Sequence, residues 1–157
     1  MLKFIKYLIV FLLLNFGGLA LGSIWTNPGT SSEWYTTLNQ APWTPQGYVF
    51  GLAWTTIGIT FSIWGAYVFS NLNRGDYETI VYYIESLVLN IIWNPLFFGA
   101  KWLGLAGIVI FGLLVTMVLL ANNTHKFYGW KPTLLLAPYI IWLVIANSLN
   151  WYIILNN

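Results

Sequence analysis

The chain has 157 residues, 59% of them hydrophobic and only 6% charged, with a net charge of +2 from six basic and four acidic side chains. Water-soluble domains carry roughly 25% charged residues, so this much apolar surface calls for a bilayer. The absence of cysteine rules out disulfides, thiolate metal sites and cysteine nucleophiles, and the small, scattered charge offers no footprint for nucleic acid.

Five apolar stretches are long enough to cross a bilayer, which takes about 20 residues of helix. They lack the period-two alternation of a membrane barrel, so an α-helical bundle is required. The predicted fold is an all-α membrane protein: a single domain over 1–157 with five transmembrane helices at 7–25, 47–69, 79–99, 102–121 and 133–155. The first follows Lys3 and Lys6 and passes Ala20-Leu21-Gly22-Ser23, which resembles a signal-peptide cleavage site. Its apolar run is long for a signal sequence, however. Asn15, Gly18 and Gly22 also share one helical face, as in a helix-packing surface. It is read as a retained first helix. Residues 26–46 form a long, structured loop in which Trp34, Tyr35, Leu38 and Trp43 accompany Pro42 and Pro45, a composition suited to a lid.

The second helix places Phe50, Trp54 and Phe61 at i, i+4 and i+11, the third Asn90, Asn94 and Phe97 at i, i+4 and i+7. The fifth repeats Pro138, Trp142, Ala146 and Asn150 every four residues. Gly18–Gly22 and Gly47–Gly51 are GxxxG pairs, read as close packing within one protomer. With the N-terminus inside, Lys3, Lys6, Arg74, Lys126 and Lys131 fall inside and Lys101 alone outside, so the positive-inside rule gives N-in, C-out.

Trp25, Trp102, Trp130 and Trp151 lie near the ends of apolar runs, where indoles anchor at the water interface. Trp54, Trp93 and Trp142 lie well inside, where an indole N–H needs a partner. Asparagines in a membrane helix face the bundle interior and bond across it. Stripes on three helices therefore converge, beneath an aromatic loop, on a pocket for a large, flat, apolar ligand with a few polar groups. His125, the only histidine, is predicted in the last inside loop, far from that pocket. Glu85, the one acid within a span, points away from Asn90 and Asn94 and is read as structural or interfacial. No metal site and no catalytic acid–base pair is evident.

Three motifs then identify a family. Trp34-Tyr35-x-x-Leu38-Asn39 with Pro42-Trp43-Thr44-Pro45 leads to Phe50-x-x-x-Trp54. Leu89-Asn90-x-x-Trp93-x-x-x-Phe97-Phe98-Gly99 precedes Gly104-Leu105-Ala106. Pro138-Tyr139-x-x-Trp142-x-x-x-Ala146-x-x-Leu149-Asn150 closes the chain. In this order they resemble the tryptophan-rich sensory protein and translocator protein (peripheral benzodiazepine receptor) family, in a bacterial form. The resemblance implies a five-helix protein, commonly a homodimer, in the bacterial cytoplasmic membrane. It implies a receptor or carrier that takes tetrapyrroles (protoporphyrin IX, haem) and benzodiazepine- or isoquinoline-carboxamide-type compounds as ligands, with no required cofactor. Tyr35, Trp54, Asn94, Phe97, Trp142 and Ala146 match the family's ligand-site positions. The alternative it implies is an enzyme of light- and oxygen-dependent porphyrin degradation, with Trp54 and Trp142 as the reacting indoles.

Departures from the family pattern sharpen this. Gln40, Ala41 and Gln46 replace a lysine and two prolines of the family's lid, predicting a less rigid lid without a basic partner for an acidic ligand group. Val109 stands where many members have an acid. The terminal Leu149 to Asn157 lacks the Lys or Arg that closes the cholesterol motif of animal members, which disfavours a sterol ligand.

Overall fold

The computed structural model describes residues 1–72 and 76–157; Arg74, used above for orientation, lies outside the described residues. Five helices are long and apolar enough to cross a membrane, and there is no strand among the described residues. In chain order they are α1 (Leu2–Thr30), α3 (Gly47–Ser70), α4 (Tyr77–Asn94), α5 (Leu103–Tyr128) and α7 (Ala137–Asn156). The short α2 (Glu33–Thr37) lies in the first connection, and α6 (Trp130–Thr133) precedes α7. Large apolar side chains such as Leu13, Leu52, Ile108 and Ile141 point outward and are more than half exposed, the surface a bilayer covers.

Helix bounds differ from the sequence prediction where polar residues are held by neighbouring helices. The first helix does not end at Trp25; α1 runs to Thr30, because Thr26 bonds the Asn94 side chain at 2.6 Å. The loop 26–46 is correspondingly shorter and contains α2, whose N-cap Ser32 accepts from the Tyr35 backbone N–H at 3.2 Å. The fourth span does not stop at 121. α5 continues to Tyr128, ends at Gly129 (φ 82°), and carries His125 and Lys126 in its last turn, where positive charge suits the helix dipole. His125 is thus helical rather than in a loop. Asn123 donates to Asp76 (2.7 Å) and Thr79 (2.8 Å), and Thr124 accepts from Trp64 Nε1 (3.2 Å). These buried bonds hold the polar extension in place.

Prolines shape two further long helices, α4 and α7. Pro95 has no N–H to continue the ladder of α4, and Pro95–Gly99 winds as a π turn. It closes through Ala100 N–H to the Pro95 carbonyl at 2.8 Å, and Lys101 follows with φ 58°. Pro138 likewise cannot donate, and Leu134–Leu136 tightens into a 3-10 turn before α7.

The core lies in the half of the bundle away from the α1–α3 connection. Phe11, Phe61, Trp64, Tyr83 and Tyr139 pack there with Met117, Leu120 and Leu136. Phe61 stacks on Trp64 with ring centroids 5.1 Å apart. Here α1 lies close against α3: a Cβ on Gly58 would sit 2.7 Å from Phe16, and one on Gly65 would collide with Phe11. Asn15 stitches the same region, donating to Ser62 Oγ (3.0 Å) and accepting from Tyr83 (3.1 Å). Towards the other end α1 leans on α4 instead. Gly18 and Gly22 meet Leu87 and Asn94, and Gly29 meets Phe98. The predicted close packing therefore holds for Gly18–Gly22. It fails for Gly47–Gly51: a Cβ at either would meet nothing within 4 Å, because α1 has turned away from α3 at that level.

Candidate functional site

That divergence opens a cavity of about 600 Å³ under the lid, lined by α1, α3, α4, α5, α7 and the connection between α1 and α3. The six site positions expected from the motifs, Tyr35, Trp54, Asn94, Phe97, Trp142 and Ala146, all line it. Four different segments bring them together. α3 supplies Trp54; α4 and its π turn supply Asn94 and Phe97; α7 supplies Trp142 and Ala146. The lid helix supplies Tyr35.

The inner wall is aromatic. Trp142 meets Phe50 edge-on at 5.1 Å and Trp54 at 6.4 Å, and Trp54 meets Tyr139 at 5.9 Å. Such edge-to-face contacts lock each ring without external partners. Trp93, whose role the sequence left open, stacks on Phe97 at 5.0 Å and donates from Nε1 to Asn150 Oδ1 at 3.1 Å. It joins α4 to α7 and lines the same space. Trp64, which the motif reading passed over, is wholly buried in the core and does not line this cavity.

The lid rests on the π turn. Trp34 packs on Phe97 at 5.9 Å, Tyr35 packs on Phe98 at 5.6 Å, and Lys101 Nζ lies 5.2 Å from the Trp34 ring centre, a cation–π distance. Burial pushes the Tyr35 phenol above the ordinary tyrosine range, so the ring is neutral at neutral pH. The far side of the lid is tied to α7. Trp43 Nε1 donates to Ser148 Oγ (3.1 Å) and packs against Tyr152. Asn157 Oδ1 accepts from the Asn39 N–H at 2.9 Å, and Asn157 Nδ2 donates back to the Asn39 carbonyl at 3.3 Å. These bonds anchor the lid to the C-terminal half of α7.

The α1 wall is polar and extends past the first helix that the sequence predicts, because Thr26, Asn27 and Thr30 belong to α1 and not to the loop. Ser23, Thr26, Asn27 and Thr30 line the cavity along one face of α1. Gly47 and Gly51 line it from α3 while remaining exposed, so this side is open between the two helices. No charged side chain lines the cavity among the described residues, and no group of three metal-ligating side chains exists among them. Glu85 is exposed on the outer face of α4, away from the site as expected.

Five helices long and apolar enough to cross a membrane, packed around a capped aromatic cavity, define an integral membrane protein. Residues 9–155 match the family model described as TspO/MBR family. The chain is 33% identical over 122 residues to the tryptophan-rich sensory protein of Cereibacter sphaeroides, covering 76% of this chain and 73% of that one. It is 31% identical over 145 residues to the translocator protein of Bos taurus (89% and 83% covered). To the tryptophan-rich protein TspO of Archaeoglobus fulgidus it is 28% identical over 158 residues, covering 99% and 97%. The chain belongs to the TspO/MBR family.

Proposed function

We propose that this chain is a membrane receptor or carrier for tetrapyrroles, such as protoporphyrin IX and haem, which occupy the capped cavity. Compounds of the benzodiazepine and isoquinoline carboxamide type would share the site. The observation that carries this reading is the cavity itself: about 600 Å³, inside the 300–1,000 Å³ range of small-molecule sites, with Trp54 and Trp142 both lining one volume. Apolar enclosure and stacking supply affinity, and Asn94, Asn90 and Gln40 supply orientation. The lid faces outward in this account, because Lys3, Lys6, Lys126 and Lys131 gather at the opposite end of the bundle and Lys101 stands alone at the lid. The bacterial cytoplasmic membrane fits that charge pattern.

Titrating the purified protein with protoporphyrin IX should quench tryptophan fluorescence, and Trp54→Phe with Trp142→Phe should weaken the quenching. Unchanged binding in that double variant would rule out this site. A second reading, oxidative degradation of the porphyrin, draws on the Trp54–Trp142 pair, two oxidisable rings 6.4 Å apart on the cavity wall. It requires turnover beyond one porphyrin per protein under light and oxygen. A stoichiometric photoreaction that consumes the indoles would leave binding as the function.

A further inference from the structure

The buried asparagines among the described residues use their amide protons inside the protein, with one exception. Asn15 Nδ2 donates to Ser62 Oγ at 3.0 Å, Asn123 Nδ2 to Asp76 and Thr79, and Asn147 Nδ2 to the Leu143 carbonyl at 2.8 Å. Half-buried Asn90 and Asn94 donate likewise, to the Tyr139 hydroxyl and the Asn90 carbonyl, at 2.9 Å each. Asn150 departs from this pattern. It is 2% exposed and lines the capped cavity, yet its Nδ2 has no partner. The cause is Trp93. An indole N–H can only donate, so the 3.1 Å bond from Trp93 Nε1 fixes which arm of the Asn150 amide is oxygen and holds it towards α4. Asn94, Asn147 and Asn156 each return a proton to the carbonyl one turn back in their own helix. Asn150 Nδ2, held by Trp93, does not reach Ala146 in this way. On α5 the neighbour is Gly107, where a Cβ would lie 3.3 Å from Nδ2, so no side chain at that position covers the amide.

We propose that Asn150 Nδ2 donates to a carbonyl or carboxylate oxygen of the ligand, and that Trp93 is the positioning residue that keeps this donor available. The proposal rests on the tetrapyrrole reading and deepens it, since it assigns an acid arm of the porphyrin to the wall where α4 meets α7. An unpaired buried N–H is costly, and lipid supplies no water to satisfy it. The cavity is the route by which a partner arrives, and the partner must be an acceptor. A carboxylate has two oxygens and several lone pairs, so a second donor can share it. Asn94 Nδ2 lines the same cavity and keeps one proton beyond its bond to the Asn90 carbonyl. Such bonds to a charged oxygen are stronger than bonds to a neutral one. An alkyl arm in the same place leaves the Asn150 proton unmet.

The test uses the full chain in lipid nanodiscs with three porphyrins: protoporphyrin IX, its dimethyl ester labelled with carbon-13 at the ester carbonyls, and etioporphyrin, whose arms are all alkyl. In infrared spectra, a labelled carbonyl of the bound ester should stretch at lower frequency than in nanodiscs without protein. Asn150→Leu should remove that shift. It should also weaken protoporphyrin IX and the ester by about tenfold and leave etioporphyrin within about twofold of the parent value. Trp93→Phe keeps a ring on Phe97 and keeps Asn150, but lets the amide turn back to Ala146. It should remove most of the shift, which a merely structural asparagine would not show, and it serves the test even where Asn150→Leu does not fold. No shift in the parent protein, a shift unchanged in either variant, or an Asn150→Leu effect equal for all three porphyrins overturns the donor role alone. If the parent protein binds none of the three, the tetrapyrrole reading fails and the donor role fails with it.

Discussion

Gly51 and Gly22 stand on opposite sides of the cavity opening, and enlarging them has opposite consequences for the fold. A Cβ at Gly51 meets no heavy atom within 4 Å, and glycine inside a helix costs roughly 0.5–1 kcal/mol relative to alanine. Gly51→Leu should therefore leave the bundle as stable as the parent or more stable by about that amount. The same isobutyl group projects into the open side of the cavity and competes with the ligand for space. Its expected effect on porphyrin binding is a loss of at least about tenfold, or about 1.4 kcal/mol. Gly22 offers the contrast, because its Cβ would fall 2.6 Å from Asn94 Nδ2. Gly22→Ala must displace the amide that accepts the Thr26 hydroxyl, costing about 1–3 kcal/mol of stability. Thermal unfolding followed by tryptophan fluorescence reads the stability of both variants, and porphyrin titration in nanodiscs reads the affinity. A Gly51→Leu protein that unfolds earlier than the parent, or binds with parental affinity, would refute the placement of the opening.

Trp93→Phe keeps a ring on Phe97 but leaves buried Asn150, whose Nδ2 already has no partner, without the bond from Trp93. Thermal unfolding should register a loss of about 1–3 kcal/mol. Lys101→Ala keeps the left-handed backbone and removes the cation over Trp34, costing about 0.5–1 kcal/mol; Lys101→Gly relieves the backbone strain and should recover most of that loss in the same assay. Tyr35 has its phenol pushed up by burial, so the folded state resists forming phenolate. The stability of the seated lid is complete below the ordinary tyrosine range and falls as pH rises above it, towards the higher folded value. Protease nicking of the lid should accelerate only in that alkaline window, and Tyr35→Phe should abolish the acceleration.

The five helices were legible because hydropathy alone requires them, and the cavity wall because Trp54, Asn94, Phe97 and Trp142 recur at helical spacing. Their ends were not, for a physical reason. Thr26, Asn27 and Pro28 read as loop until Asn94 provides Thr26 with a partner across 68 residues of sequence. Asn123 and Thr124 also read as loop, yet they are buried against Asp76, Thr79 and Trp64. In each case a tertiary hydrogen bond overrides local polarity. The Gly47–Gly51 pair illustrates the converse: the spacing permits close helix packing, but α1 has been drawn towards α4, and the glycines border empty space. Trp93 needed Asn150, 57 residues away, before its depth in the membrane made sense.

The most direct test is a structure of this protein determined with protoporphyrin IX bound. The account predicts the macrocycle inside the capped cavity, against Trp54 and Trp142 and beneath Tyr35. A porphyrin found on the lipid-facing surface, with the cavity empty, would contradict it.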